Sequence, residues 1–342
     1  MPAKLRQILK PYRAQNRWAA SWQLINTLVP YTLAWCAAWV SVDYSYGITL
    51  LISMFMAGLM VRTFTLHHDC THGSFFKSRG ANEFWGFWLG LTTLTPFHRW
   101  RRSHNYHHAH SGDLDHRGEG YITMYTVKEY LALTPGQQLW YRIYRSPLMM
   151  FLVGPFIQFV ILERFTFDLP KTAHVARWGV WKANIALLSI VAAIFLGGYL
   201  SGFGGWNALG RVGIIFLPTS LLSGAMGVWL FFVQHNYEEA YFKRHTQWNY
   251  ATAALEGSSF YDLPQVLHWF SANIGFHHIH HLDSTIPNYN LQRCLRENPE
   301  FQSPVSIKLF ESVRCIGLDL WDEEHGKLVP LSAAKKAAAL VG

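Results

Sequence analysis

Four stretches of this chain, at about 21–42, 46–66, 181–201 and 211–233, run for some twenty residues each with few ionisable side chains, Arg62 and Lys182 among them. A helix crossing the roughly 30 Å hydrocarbon core of a bilayer needs about 20 mostly apolar residues, so each stretch is long enough to span. Short connections at Val42 to Gly47 and Ser201 to Gly210 join them in pairs, which predicts two helical hairpins. The lysines and arginines follow that pattern: residues 1–20 hold five, 67–180 hold twelve, 234–342 hold nine, and neither short connection holds any. By the positive-inside rule both termini and the central segment are expected in the cytoplasm. The alternative is a soluble helical protein with four buried hairpin helices.

Composition supports the membrane. Half of the 342 residues are apolar, 15 are tryptophan, and charged residues make up only 15%, against roughly 25% in soluble domains. A mean hydropathy near zero calls for polar mass beside the spans. The expected fold is an all-α integral membrane protein, one domain over 1–342, with a cytosolic helical cap from 67–180 and 234–342. Two shorter apolar stretches, Phe84 to Phe97 and Pro147 to Ile161, are expected at the interface or partly re-entrant. The polar segments show helix-like periodicity and no strand alternation, and the Ala/Lys tail at Ala333 to Leu340 is expected to be solvated.

The net charge of +8 comes without a run of five or six basic residues or a nucleic-acid motif, so no nucleic acid partner is expected. A basic face toward anionic lipid or an acidic electron donor suits it better. Cys36, Cys70, Cys294 and Cys315 form no CxxC pair, which fits a reducing compartment. The first apolar run is too late and too long for a cleaved signal peptide, so the N-terminus is expected in the mature chain.

Eighteen histidines are concentrated at the expected cytosolic helix ends. His68 and His72 are i, i+4 partners that share one helical face; His67 competes with His68 but turns away from His72. His104, His107 and His108 have the spacing i, i+3, i+4, and His277, His280 and His281 repeat it. These two clusters of one geometry predict two equivalent metal-binding halves. His235 stands at the end of the last span, as His68 does at the end of the second. His98, His110, His116, His174, His245, His268 and His325 are read as solvated or hydrogen-bonded side chains, and His67 and His278 as lying outside the ligand set.

Imidazole suits zinc, copper, iron and nickel. Four-coordinate zinc would use at most four of nine rings and has no redox chemistry. Nine rings therefore point to two metals of higher coordination number, with iron preferred. Asp69, Asn105, Asn236, Asn273 and Asp283 adjoin the rings and are candidates to orient them; each could equally cap a helix.

The motifs HDCTH at 68–72, HNYHH at 104–108 and HHIHH at 277–281 resemble the three histidine boxes of membrane fatty acid desaturases. The surroundings HDCTHGSFF, SGDLDHRG and NIGFHHIHHLDSTIPNY look like the bacterial and plastid-type delta-12 (omega-6) acyl-lipid branch, over roughly residues 15–315. That resemblance implies a four-helix stem with a cytosolic di-iron cap. Its two iron ions use dioxygen as co-substrate to place a cis double bond in a long acyl chain of a membrane lipid. The implied ligands are His68, His72, His104, His107, His108, His235, His277, His280 and His281. The Glu-x-x-His carboxylates of soluble di-iron bundles are absent.

The expected location is the inner membrane of a bacterium, with the site facing the cytoplasm. An apolar tunnel should hold the acyl chain, with Trp85, Trp88, Trp100, Trp229 and Trp269 near enough to contribute. No flavin or dinucleotide fingerprint is present, so electrons are expected from a ferredoxin or a cytochrome b5-like carrier. The rivals are a di-iron hydroxylase or ketolase acting on alkanes, carotenoids or sterols, and a non-catalytic metal-binding membrane protein.

Overall fold

The computed structural model describes residues 3–118, 120–301 and 305–334. Most of the Ala/Lys tail lies outside them. The helices that carry the fold are, in chain order, α1 (Arg17–Ser41), α2 (Tyr46–His72), α3 (Arg79–Thr92), α4 (Phe97–His110), α5 (Pro135–Tyr144), α6 (His174–Leu200), α7 (Gly205–His235), α8 (His277–Leu282) and α9 (Asn288–Glu297).

Among the described residues, α1, α2, α6 and α7 are the four helices long and apolar enough to cross a membrane. Their bounds exceed the apolar runs. At 1.5 Å per residue the 27 residues of α2 reach about 40 Å and the 31 of α7 about 46 Å, longer than a core of roughly 30 Å. The expected spans ended at 66 and 233, but the helices continue to His72 and His235. These extra turns carry histidines past the apolar run. Gly73 ends α2 one residue beyond His72: it takes the left-handed φ of 70°, and the Ser74 N–H donates to the Asp69 carbonyl at 3.1 Å.

Helix α2 is central, packed against α1 and α7. Tyr31, Ala34 and Ala38 of α1, Met56, Leu59 and Met60 of α2, and Ile215 of α7 form one buried cluster. The small residues of α1 allow close approach. On the far side of α1, Trp18, Trp22, Ile25, Val29 and Leu33 recur every three or four residues and are exposed, the kind of apolar stripe that a bilayer covers. Arg62 is buried, its guanidinium over the Trp269 ring at 4.3 Å and its Nε donating to Thr27 Oγ1 at 2.8 Å. At the end opposite the histidines, Arg211 Nη1 donates to Asp43 Oδ2 at 2.8 Å and ties the start of α7 to the turn after α1.

The apolar stretch at Phe84 forms most of α3, which exposes Phe84 and Trp88. The stretch at Pro147 lies in Met149–Arg164, bent by 61° from α5. Its backbone widens into π turns at Met149–Val153 and Ile157–Ile161, on either side of Pro155, where the missing proline N–H breaks the regular ladder.

The cap corrects the all-α expectation. Among the described residues it holds five short strands: β1 (Tyr125–Thr126), β2 (Phe260–Asp262), β3 (Ser306–Lys308), β4 (Leu320–Asp322) and β5 (Lys327–Val329). β1 pairs parallel with β4, β4 antiparallel with β5, and β2 parallel with β3. Runs of two or three residues are too short for alternation to register in a sequence. Tyr261 and Ile307 of the β2–β3 pair pack with Phe232 and Val233, which fixes the end of α7 where His235 sits.

Candidate metal centre

Helices α2, α4, α7 and α8 converge below the spans, and each brings histidines to the meeting point. Among the described residues, nine of their imidazoles form two groups, the ligand atoms of each within 4.8 Å of one another. One group is His68, His72, His104, His108 and His280; the other is His107, His235, His277 and His281. These are the nine rings singled out from the sequence. His67 and His278 belong to neither group; His67 shares a hydrogen bond with the Gly86 carbonyl at 2.8 Å instead.

The arrangement differs from two equivalent halves with one motif each. His104 and His108 of α4 go to the first group and His107 to the second; on α8, His277 and His281 go to the second group and His280 to the first. Helical geometry explains the split. At about 100° per residue, positions i and i+4 lie about 40° apart, whereas i+3 points about 60° to the other side of i. Each motif therefore gives its i, i+4 pair to one centre and its i+3 ring to the other. The groups adjoin, with the His108 and His281 rings stacked at 4.1 Å.

The ring nitrogens are directed inward. Nε2 atoms meet at 3.3 Å between His68 and His72, 3.1 Å between His104 and His108, and 3.0 Å between His108 and His280. In the second group they meet at 3.2 Å between His107 and His235 and at 2.9 Å between His277 and His235. Burial holds His104, His107, His108, His277, His280 and His281 well below the usual imidazole range, and the neighbouring rings push the same way. At neutral pH these rings are uncharged and their lone pairs are available.

A metal fits this set. Two nitrogens about 2.1 Å from a shared metal at a right angle are about 3.0 Å apart, against about 3.4 Å at a tetrahedral angle. The observed contacts match the smaller angle better, and five rings in one group exceed tetrahedral zinc. Buried lone pairs facing one another at such distances need a cation or shared protons between them.

Of the expected supporting residues, Asp69 comes nearest to a ring, its Oδ1 3.5 Å from His68 Nδ1. Its other oxygen accepts the Asn288 N–H at 2.7 Å and Nδ2–H at 2.8 Å, anchoring α9 to α2. The remaining four are placed otherwise. Asn105 is exposed on the outer face of α4. Asn236 donates to the Leu318 carbonyl at 3.0 Å and accepts from Arg145 at 3.1 Å. Asn273 takes a left-handed turn with φ 61° before α8, a conformation asparagine tolerates. Asp283 accepts from Arg13 Nε at 2.6 Å and Thr285 Oγ1 at 2.6 Å.

Groups that sequence adjacency missed take the supporting places. The Gly257 carbonyl meets His235 Nδ1 at 3.0 Å, and Tyr121 and Phe231 pack on the His107 ring at 4.9 and 5.1 Å. A backbone carbonyl leaves no residue-type signal, and Tyr121 lies fourteen positions from His107 on another segment. Of the five tryptophans considered, Trp100 stacks on His104 at 5.3 Å, while Trp229 donates to Tyr261 Oη in the core of the cap. A cavity of about 350 Å³ adjoins the second group, lined by His107, His235, Tyr121, Leu114, Met124 and Phe231 among others.

A family model described as fatty acid desaturase matches residues 44–310. A protein of Bacillus subtilis (strain 168) named fatty acid desaturase is 40% identical over 92% of this chain and 86% of its own length. An sn-1 oleoyl-lipid 12-desaturase of Synechocystis sp. is 28% identical over 77% of this chain and 73% of its own length. An sn-1 acyl-lipid omega-3 desaturase (ferredoxin) of Nostoc sp. (strain 36) is 27% identical over 76% and 68% respectively.

Proposed function

Since this chain belongs to the fatty acid desaturase family, we propose that it places a cis double bond at the delta-12 (omega-6) position of an acyl chain esterified in a membrane lipid. The convergence of nine imidazoles into two adjoining groups is the observation that carries this reading. His68, His72, His104, His108 and His280 would hold one iron, and His107, His235, His277 and His281 the other. Bound irons would supply the reduction of dioxygen to water that removes two hydrogens from neighbouring methylenes. The overall step consumes one dioxygen, two electrons and two protons, and releases two waters.

The chain's own residues position and shield. The cavity beside His107 and His235 has a volume in the range of ligand pockets, roughly 300–1,000 Å³. Leu114, Met124 and Phe231 would hold a methylene segment there, and a fixed near-attack geometry selects which carbons react. The helices α1–α2 and α6–α7 are read as two hairpins crossing the inner membrane of a bacterium, in one domain, with both termini and the histidine groups in the cytoplasm; the distribution of lysine and arginine supports that orientation. Electrons would come from a ferredoxin or a cytochrome b5-like carrier, the first supported by the name of the Nostoc relative.

The test is expression in a host rich in monounsaturated acyl chains, with fatty acids read by gas chromatography-mass spectrometry beside a His107→Ala control. Dienoic acids with the new bond at carbon 12, absent from the control, are expected. A new bond elsewhere would overturn the delta-12 assignment, and hydroxylated products would overturn desaturation of this substrate.

A further inference from the structure

Outside the two buried groups, a third set of potential metal ligands lies at the surface of the cap: Asp113, His116 and His245, with ligand atoms within 4.8 Å of one another. Two chain segments build it. The Leu114 N–H donates to the Lys243 carbonyl at 2.9 Å and the Lys243 N–H to the Gly112 carbonyl at 2.9 Å, a pairing that sets Asp113 beside the residues leading to His245. Gly112 permits it by taking φ 76°; a Cβ there would meet the Tyr241 carbonyl oxygen at 2.6 Å. His116 follows Asp113 by three positions, so one turn of chain supplies two of the three groups.

The donor atoms share one focus. His245 Nδ1 is 2.6 Å and His116 Nδ1 2.8 Å from the same Asp113 oxygen, Oδ2, while Oδ1 accepts the Asp115 N–H at 3.0 Å. The Asp113 side chain has no exposed surface, whereas those of His116 and His245 are 40% and 59% exposed. The carboxylate is thus held rigidly at the floor, and the imidazoles leave the outer side open to water. Asp115 and Glu323 hold the adjacent Arg244 guanidinium at 2.9 and 2.8 Å, away from Asp113.

From this geometry we propose a third cation site: Asp113, His116 and His245 bind one divalent transition-metal ion of the zinc class, with water completing the shell. Two imidazoles and a carboxylate with an open position form a donor set zinc accepts. A small opening of the present contacts, to about 3.3 Å between donor atoms, would admit the ion. Ser111, Leu114 and Arg117 of the same loop line the cavity beside His107 and His235, so an ion here pins a wall of that cavity to the 243–248 segment.

The test uses the full chain purified in detergent, titrated with zinc and assayed for zinc and iron per chain by plasma mass spectrometry, with cobalt(II) as an optical probe. About one zinc per chain beyond the iron is expected, together with a visible cobalt spectrum. His245→Gln and Asp113→Asn should each weaken zinc binding about tenfold or more without lowering iron content. His245 is exposed, so its substitution spares the fold; a matching thermal transition checks this for Asp113→Asn. Equal zinc affinity in wild type and His245→Gln would overturn the proposal, as would zinc that is lost only together with iron. Iron that fails to bind while the zinc response follows the variants would count against the di-iron reading alone.

Discussion

The two histidine groups share the motifs of α4 and α8 and differ in what lies beside them. The five-member group draws on α2, α4 and α8, with Asp69 behind His68 tying α2 to Asn288 of α9. The four-member group draws on α4, α7 and α8, and two of its rings, His107 and His235, form part of the cavity wall. Each group has one partly exposed ring, His72 in the first and His235 in the second, but His107 and His235 of the second also line the cavity of about 350 Å³. The difference teaches that motifs shared between two centres need not make the centres alike: the group with four imidazoles is the one whose rings line a described cavity.

Removing a ring from each group probes that contrast most strongly. His235→Ala leaves the four-member group with three rings and should lower iron from about two per chain to about one, with desaturation lost by a hundredfold or more. His72→Ala leaves four rings in the other group, and should weaken its iron while retaining part of it. Equal iron loss in both variants, read by metal analysis, would break the asymmetry.

Acid tests the shared feature of the groups, which is burial of neutral imidazole. Six rings outside the spans have lowered pKa values in the folded protein. Below about pH 6.5 the unfolded chain binds protons that these rings refuse, so stability falls as pH drops. Above about pH 6.5 both states are neutral and the penalty vanishes. The metal-free protein should therefore lose thermal stability steeply between about pH 7 and 5; a flat Tm over that window would contradict the buried neutral state.

Filling the cavity sharpens the access side of the comparison. Leu114→Trp should lower turnover about tenfold to a hundredfold while iron content holds, because overpacking costs roughly 1–3 kcal/mol and displaces the chain. Unchanged turnover with long acyl substrates would place the reacting segment elsewhere. The smallest pair concerns support: Asp69→Asn should weaken metal in the five-member group about tenfold, whereas Asn105→Ala, at an exposed position, should change stability by less than about 0.5 kcal/mol. Metal titration of the two variants separates a residue against a ring from one merely adjacent in sequence.

That last pair also marks where reading the chain alone reached its limit. Spans, helix ends and the nine rings are local properties: apolar length and i, i+4 spacing are written in consecutive residues. Asp69 and Asn105 look alike in such a reading, since both adjoin a histidine, and the helix face that distinguishes them depends on what packs against each helix. The short strands were invisible for a related reason, because two or three residues held by pairing with distant partners carry no period of their own.

The sequence by itself determined the membrane-spanning helices, the histidine motifs and the family they belong to. Only the tertiary structure decided how the rings are shared. His107 joins His235 from a helix 128 residues away, and His280 joins His108 across 172. Spacing along a helix fixes which way each ring points, but the ring it meets is chosen by long-range packing of α2, α4, α7 and α8.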